Sequence, residues 1–565
     1  MTTERNTGDR DLSQQDLAPL SWFESTADHS ATGDPVVRYH ATDSRIPVAK
    51  SYGPEALSDE ARAEQPGEYP FTRGLTADGY RSELWHRDIY AGFGNAEESR
   101  GRFEELLKGG ASGVNIALDL PTQLGFDSDH PEAVAEAGKV GVAIDSFADV
   151  QDLFQGISLR DARIVFTVAN GIGPMAMAWF MLLAESQGVA PEDYVLHLQN
   201  DPLKEFTGRG AFVFPIEPHL RLSCDVIEYA ARHGYKHWKP IGICGSQFRW
   251  GGGTAVHEIA YGISSARTYI EELLRRGLDI DEFAPLLEMH LAADVDFLEE
   301  AAKFRAARRV WARMMRDEYG AKLPESQHLR VSLYTGGYRL TAQEPLNNSV
   351  RIALQALGAV LGGVQHLGTL SIDEALSTPS PEAARLAVQT QNLLAYETSV
   401  PALADPLGGS YFVEALTDDL ERRIEEAMKT VDDAGGFIAA LRSGLLQARL
   451  DEASYLRQQE IDSGERVVVG LNAFKQEVET SSIKAFRVDD SSTHRQIEKV
   501  RARRAARDPA LVTVRLSELI DAAKTESANL IEPIVACFRD GATIGDVCGA
   551  LTDVFGTWRV EGVLF

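Results

Sequence analysis

Polar side chains recur where short apolar runs of the sequence end, and these residues are the ones best placed for chemistry. They are Asn170, Gln199, Asn200, Asp201, Ser246, Gln247, His290, Tyr334 and His366. Their amide, carboxylate, imidazole and phenol groups can donate or accept hydrogen bonds with a small ligand. Each could be an ordinary strand cap. Their recurrence at the same end of successive runs favours a site, because catalytic residues gather where parallel strands end.

Three local patterns carry weaker signals. Arg249-Trp-Gly-Gly-Gly-Thr254 resembles a phosphate-binding loop but lacks its Lys-Ser/Thr ending, so we predict a loop whose Thr254 begins a helix. His257-Glu258 lacks the second histidine of a zinc-binding HExxH motif, and we predict no metal site. A basic stripe interleaved with Ala and Trp is interpreted as a solvated helix face; it comprises Lys303, Arg305, Arg308, Arg309 and Arg313.

The apolar runs themselves predict buried parallel strands, because they are short and apolar on both faces. They span residues 113–118, 163–168, 194–198, 240–244, 286–291, 329–333 and, more weakly, 363–367. Helical stretches such as residues 296–320 separate them. Seven βα units, with an eighth strand expected before residue 110, favour a (β/α)8 barrel of the TIM type. An open doubly wound sheet is the alternative.

The order of these patterns predicts four regions. Residues 1–35 are expected to form a mobile N-terminal arm, residues 36–415 the substrate-binding barrel, and residues 416–487 a helical extension. Residues 488–565 are expected to comprise a charged linker, near 488–510, and a C-terminal helical unit. Two apolar helical faces in that unit predict either core packing or a surface for docking a small subunit; they comprise Leu530, Ile531, Ile534, Val535 and Phe538, and Ile544, Val547, Leu551, Val554 and Phe555.

Composition excludes several classes of protein. The formal net charge of -28 disfavours nucleic acid and anionic membranes as partners. The four cysteines show no metal-ligand spacing and are too few for a disulfide framework, which fits a reducing compartment. No secretory leader or run of about 18 apolar residues is visible. We therefore expect a soluble cytoplasmic protein.

Longer motifs resemble one enzyme family. The segments are YPFTRG at 69–74, YAGFGNAEES at 90–99, DLPTQLGFDSDHP at 119–131, LQNDPLKEF at 198–206, KFRAARRVWA at 303–312 and DPLGGSYFVEAL at 405–416. They are similar to the large, substrate-binding subunit of the coenzyme B12-dependent acyl-CoA mutases, the methylmalonyl-CoA mutase family. The resemblance implies a barrel whose axis is threaded by the CoA arm of the substrate. It also implies a radical 1,2-rearrangement of an acyl-CoA by an isomerase.

The same resemblance implies a cofactor and a partner. The family uses adenosylcobalamin, which is held through an Asp-x-His-x-x-Gly motif that this sequence does not contain. A separate small cobalamin-binding subunit is therefore expected, in an assembly such as a heterotetramer.

The resemblance also implies roles for single residues of this sequence that match functional positions of the family. Tyr90 matches the tyrosine that lies against substrate and adenosyl group, and Arg209 the arginine that binds a substrate carboxylate, as guanidinium groups do well. Gln199 matches a substrate-side amide, and Glu374 an acid that contacts the cofactor. Further substrate-binding positions are Thr76, Glu83, His86, Asp88, Asn115 and Ser332, and Tyr334 is placed on the cofactor side.

Several positions depart from the family pattern. Gln247 stands in place of the catalytic histidine and can donate a hydrogen bond but cannot act as a general acid. Acidic Glu83, Asp88 and Glu325 replace basic residues that would meet CoA, and Leu286 replaces another, with Glu288 two residues later. Arg81 or Arg87 could meet the phosphates instead. The departures leave two alternatives open: a mutase acting on a non-CoA, cationic or amino-acid substrate, and a degenerate, non-catalytic subunit.

Overall fold

Helices and short parallel strands alternate over most of the chain. The computed structural model describes residues 41–162, 164–476, 483 and 485–558, and the expected N-terminal arm, residues 1–35, lies outside them. No helix among the described residues is both long and apolar enough to cross a membrane.

Eight strands are found in the described part of the chain. They are β1 His86–Asp88, β2 Val114–Ile116, β3 Ile164–Thr167, β4 Val195–Leu198, β5 Ile241–Cys244, β6 Leu287–Ala293, β7 Val331–Thr335 and β8 His366–Gly368. Strands β2 to β8 overlap the seven apolar runs, and β1 is the strand expected before residue 110. The prediction of buried strands is confirmed, because β2, β3 and β5 to β8 are buried along their whole length.

All strand pairs are parallel and fall into two sheets. One sheet has the order β1-β8-β7-β6-β5 and the other the order β2-β3-β4. Isolated parallel bridges join Ala91 to Ile116 of β2, and His197 of β4 to Lys239 just before β5. The first and last strands are neighbours, since His86 pairs with His366. The architecture is therefore mixed α/β with parallel sheets.

Helices connect the strands and cover their outer side. Their bounds are α1 Asp59–Ala63, α2 Ala96–Lys108, α3 Leu120–Gln123, α4 Phe147–Leu153, α5 Leu159–Ala162, α6 Gly173–Gln187, α7 Glu205–Gly208, α8 Ile216–Arg232, α9 Ser246–Trp250, α10 Ala255–Arg275, α11 Ile280–Phe283, α12 Phe297–Arg313, α13 Pro324–Gln327, α14 Asn347–Leu361, α15 Pro381–Tyr396, α16 Tyr411–Asp433, α17 Phe437–Arg442, α18 Leu445–Asp462, α19 Asp490–Ala506, α20 Pro509–Ala523, α21 Ile531–Arg539 and α22 Ile544–Phe555. As predicted, Thr254 begins a helix: its hydroxyl accepts from the backbone N–H of His257 at the start of α10.

The basic stripe of helix α12 is not solvated, and that prediction is wrong. Lys303, Arg305, Arg308 and Arg309 are at most 2% exposed. Arg305 donates to Asp405 and Glu414, both at 2.7 Å, while Arg308 donates only to backbone carbonyl groups, including that of Gly362 at 2.7 Å. Burying a charge costs free energy unless it is paired or hydrogen-bonded. These side chains hold α12 against α16 and the loops around it.

The charged segment predicted as a linker forms helix α19 instead. Its side chains attach it to the segment that follows β2. Arg504 donates to Asp127 and Gln496 to Asp145, each at 2.7 Å, and Arg503 donates to Asp152 at 2.7 Å.

The two apolar faces near the C-terminal end pack inside the molecule. Ile531 and Ile534 of α21 and Val547 of α22 are fully buried in one cluster with Trp179 of α6. Val554 and Phe555 pack against that cluster and are partly buried. Core packing is therefore confirmed for the buried residues of these faces.

Candidate active site

Five of the side chains predicted from the sequence lie at or beyond the carboxyl ends of strands. Tyr90 follows β1, Gln199 follows β4 and Gln247 follows β5 by three residues. Tyr334 is the penultimate residue of β7, and Glu374 follows β8. Because all the strands are parallel, their carboxyl ends lie at the same side of the sheets. This side is the candidate active site.

Tyr90 is a half-buried aromatic residue of this site, and the charges of Arg209 and Glu374 both affect its phenol. Its ring centroid lies 5.6 Å from that of Tyr334. Burial raises the pKa of Tyr90 to about 12; the positive charge of Arg209 opposes this rise and the negative charge of Glu374 adds to it. The phenol is therefore protonated at neutral pH, and both charged groups act on it.

The segment between β4 and α8 carries Gln199 and Arg209 and is braced by a buried ion pair. Lys204 Nζ donates to Gln199 Oε1 at 2.8 Å and lies 3.4 Å from Glu205 Oε1. Glu205 Oε1 in turn lies 3.7 Å from Arg209 Nη1. Lys204 and Glu205 are at most 1% exposed, whereas the Arg209 side chain is 32% exposed. The ammonium group thus fixes the Gln199 carbonyl, which leaves the Gln199 amide N–H groups as donors.

Gln247 and Glu374 complete the rim of the site. Gly208 lies next to Gln247: a Cβ on this glycine would be in van der Waals contact with the Gln247 Cβ, at 3.4 Å. Gln247 is half-buried. Glu374 is half-buried beside Gly337 of the loop after β7. Burial, with a smaller contribution from Asp373, raises the pKa of Glu374 to about 7. This carboxyl group can therefore donate or accept a hydrogen bond near neutral pH.

Two of the acidic residues that differ from the family pattern, Asp88 and Glu288, contact buried histidines of neighbouring strands. Asp88 Oδ2 is 2.6 Å from His366 Nε2, and Glu288 Oε1 is 3.2 Å from His197 Nδ1. Burial lowers the pKa of His366, but Asp88 and Glu288 outweigh this effect and hold it above its ordinary value. The cationic form of His366 is thus favoured beside Asp88. Asn115 Nδ2 donates to Asp88 Oδ1 at 3.0 Å.

Other predicted substrate-binding residues lie apart from this rim. Thr76 and Glu83 are exposed in the segment before β1, and Glu325 is exposed before β7. The Thr76 hydroxyl accepts from the backbone N–H of Gly79 at 3.1 Å. His86 is half-buried at the start of β1, and burial lowers its pKa to about 3. Ser332 is buried in β7, where its hydroxyl lies 3.1 Å from His290 Nδ1.

Sequence reasoning missed Lys204 and Phe166. Lys204 is inside a segment used for the family resemblance, but nothing in its spacing shows that its ammonium group reaches back five residues to Gln199. Phe166 stands in an apolar run, and only the alternation of inward and outward positions along β3 could have marked it as inward-facing.

Comparison with known proteins gives the class. A family profile described as methylmalonyl-CoA mutase matches residues 41–557. The 2-hydroxyisobutanoyl-CoA mutase large subunit of Aquincola tertiaricarbonis is 37% identical over 516 residues, which cover 91% of this chain and 92% of that protein. Methylmalonyl-CoA mutase of Cereibacter sphaeroides is 39% identical over 497 residues, or 88% of this chain and 69% of that protein. The human mitochondrial methylmalonyl-CoA mutase is 38% identical over 499 residues, or 88% and 66%.

The fold, the strand-end site and these matches define a mutase, an enzyme of the isomerase class that rearranges a carbon skeleton. The chain belongs to the methylmalonyl-CoA mutase family.

Proposed function

We propose that this chain is the substrate-binding subunit of an adenosylcobalamin-dependent mutase that rearranges an acyl-CoA carrying a carboxylate. The observation that carries the proposal is the half-buried ring of Tyr90, which lies 5.6 Å from that of Tyr334 and whose phenol is affected by the charges of both Arg209 and Glu374. A guanidinium group whose charge reaches this ring is well suited to bind a substrate carboxylate near it. The relatives named for CoA thioesters support the choice of substrate class.

The proposed scaffold is a closed (β/α)8 barrel. The adjacency of β1 and β8 and the two isolated bridges between the sheets support closure. In such a barrel the residues after β1, β4, β5, β7 and β8 surround one opening.

The residues at this opening fit the cofactor. Glu374, with its pKa of about 7, and the Tyr90 hydroxyl group offer donors and acceptors for an adenosyl group, and the Tyr334 ring lies beside them. When bound, adenosylcobalamin supplies radical chemistry through homolysis of its cobalt–carbon bond. We propose that a separate small subunit holds it, in a cytoplasmic heterotetramer. The relative named as a large subunit supports a two-subunit assembly, and the four buried free cysteines suit a reducing compartment.

The chain's own groups then bind and shield the substrate. Arg209 pairs with the substrate carboxylate. Gln199, whose carbonyl is occupied by Lys204, donates from its amide to the thioester carbonyl, and Gln247 offers a second amide. Tyr90 lies over the reacting carbons and keeps water away from them. No proton transfer from Gln247 is involved, since an amide is not a general acid.

A cationic substrate is less well supported. Of the four acidic positions behind that alternative, Asp88 and Glu288 are already paired with His366 and His197, and Glu83 and Glu325 are exposed at the other end of the strands. They do not converge on the rim around Tyr90.

A panel of thioesters tests the proposal. The chain, a small cobalamin-binding subunit and adenosylcobalamin are incubated with acyl-CoA esters that do and do not carry a carboxylate, and products are identified by mass spectrometry. Isomerisation of carboxylated esters alone supports the proposal, and conversion restricted to uncharged esters or amino acids contradicts it.

A further inference from the structure

One aromatic ring of β3 approaches ring side chains that come from four other strands. Phe166 of β3 has its ring centroid 5.1 Å from that of His366, 5.7 Å from His290, 6.0 Å from His197 and 6.2 Å from Tyr334. These partners lie on β8, β6, β4 and β7, so the ring is in contact range of side chains from both sheets. Phe166 is 1% exposed.

The rings around Phe166 are held in place by polar contacts. His366 is paired with Asp88, His197 with Glu288, and His290 with Ser332. The three histidines are at most 2% exposed, and His197 and His366 also approach each other, with centroids 6.0 Å apart. We call these residues the interior cluster; it comprises Asp88, Phe166, His197, Glu288, His290, Ser332 and His366.

The interior cluster meets the active site at Tyr334 and Asn115. Tyr334 Oη donates to Asn115 Oδ1 at 3.0 Å, and Asn115 Nδ2 donates to Asp88. Gly368 of β8 gives the Tyr334 ring its room, because a Cβ there would lie 2.4 Å from it. Tyr334 in turn contacts Tyr90. Tyr334 and Asn115 therefore form the floor of the site, and the cluster lies beneath that floor.

A ligand arm cannot run along the strands unless this cluster moves. Opening a path would displace four rings, separate the buried Asp88–His366 ion pair and break the hydrogen bond between His197 and Glu288, which leaves buried charges without partners. The sequence resemblance implies a CoA arm threaded along the axis; in this structure the buried rings of the interior cluster lie between the strands instead.

Resting on the proposed mutase function, we propose that this enzyme recognises a short carboxylated acyl group above the Tyr334–Asn115 floor and does not bind the carrier arm in its interior. The substrate class is then a small carboxylated acyl compound, either the free acid or a thioester whose thiol part contributes little to binding. Recognition is confined to Tyr90, Arg209, Gln199 and Gln247.

Calorimetric titration of the full chain with CoA alone tests the inference without turnover. The expected result is no saturable binding up to millimolar CoA, while methylmalonyl-CoA mutase of Cereibacter sphaeroides, titrated in the same way, serves as the comparison. Saturable micromolar binding of CoA by this chain would overturn the inference.

A kinetic comparison separates this inference from the proposed function. The assembled enzyme is given one carboxylated acyl group as its CoA ester, as its N-acetylcysteamine thioester and as the free acid. Equal kcat/KM values within a few fold for the two thioesters support the inference together with the proposed function. Conversion of the free acid alone supports the inference and contradicts the proposed acyl-CoA substrate. A preference for the CoA ester of about 100-fold or more overturns it, because that difference measures binding energy drawn from the arm. Failure to convert any of the three would refute the mutase function, and the CoA titration would still decide the inference.

Discussion

Arg209 is the residue whose charge selects the substrate in this account. Replacing it by glutamine, Arg209→Gln, removes a charged hydrogen-bond donor worth about 1.5–3 kcal/mol. We expect kcat/KM for a carboxylated substrate to fall by roughly 10- to 100-fold, with an uncharged acyl ester of the same length unaffected. Arg209→Lys, which keeps the charge, is the matched control and should lose less. An equal fall in kcat/KM for both substrates would show that Arg209 does not bind the carboxylate.

Lys204 is expected to act through Gln199 as a positioning residue. Lys204→Met frees the Gln199 carbonyl, so the amide loses its fixed orientation, and we expect KM to rise or kcat to fall in the wild-type background. In a Gln199→Leu background the same change should cost little, giving a coupling of about 0.5–3 kcal/mol.

Lys239→Met is the control for this cycle. Lys239 is also buried, but its ammonium group donates to the Pro285 carbonyl at 2.7 Å before β6, at the opposite end of the strands. It should change stability without coupling to Gln199. Additive effects of Lys204→Met and Gln199→Leu would refute the positioning role.

Glu374 gives the site a pH dependence with a definite sign. Its pKa is about 7 in the folded protein and 4.5 when unperturbed, so the folded state binds more protons between these values. The Glu374 contribution to the free energy of unfolding is therefore fully present below pH 4.5 and is lost as the pH rises towards 7. Glu374→Gln should remove this component, so that the variant gains stability relative to wild type across that window. Urea unfolding at several pH values measures the difference; a constant difference would contradict the shift.

At the scale of elements, helix α12 depends on charges that come from distant parts of the chain. Glu414 of α16 is fully buried, accepts from Arg305 at 2.7 Å and lies 3.2 Å from Arg73. Glu414→Gln leaves both guanidinium groups short of a partner, and we expect it to lower the free energy of unfolding by about 3–5 kcal/mol.

Glu318→Gln is the matched surface change. Glu318 pairs with Arg267 at 2.8 Å but its side chain is 51% exposed, so the loss should be about 0–1 kcal/mol. Denaturant unfolding of both variants provides the measurement, and similar losses would show that burial of the α12 pairs contributes nothing.

The strands were predictable from the sequence, whereas the placement of charges was not. Buried parallel strands require continuous apolar runs, and seven runs were visible; β1 has only three residues, His86–Asp88, and no apolar run marks it. The basic stripe of α12 was misassigned because its partners, such as Asp405 and Glu414, lie about 100 residues away. The charge density of residues 488–510 predicts a linker, but the segment contains helix α19. The helix packs against the molecule because its charged side chains pair with Asp127 and Asp152.

The candidate site was predictable in part, and for a similar reason. Tyr90, Gln199 and Glu374 follow strand ends, a position that local pattern can indicate. The interior cluster was not predictable as a unit, since it forms only when β1, β3, β4, β6, β7 and β8 bring one or two residues each together. The pairing of Asp88 with His366 joins residues 278 positions apart, and no spacing in the sequence indicates it.

At the scale of the whole molecule, the proposed function assigns substrate binding to this chain and cofactor binding to a separate subunit. One end of the strands carries the rim around Tyr90, the interior cluster fills the space beneath it, and the helical C-terminal region packs outside. Under the proposed function, the open rim of this chain faces the cobalamin-carrying subunit, and Arg209 gives that rim a local positive charge for an anionic substrate within a chain of net charge -28.

Electron paramagnetic resonance tests the central claim most directly. The chain is mixed with a small cobalamin-binding subunit and adenosylcobalamin, and the sample is frozen after addition of a carboxylated acyl compound, as thioester or free acid. The account predicts a paramagnetic signal that requires this substrate and that Arg209→Gln abolishes or weakens. No signal with any carboxylated compound, while methylmalonyl-CoA mutase of Cereibacter sphaeroides gives one with methylmalonyl-CoA under the same conditions, would contradict it.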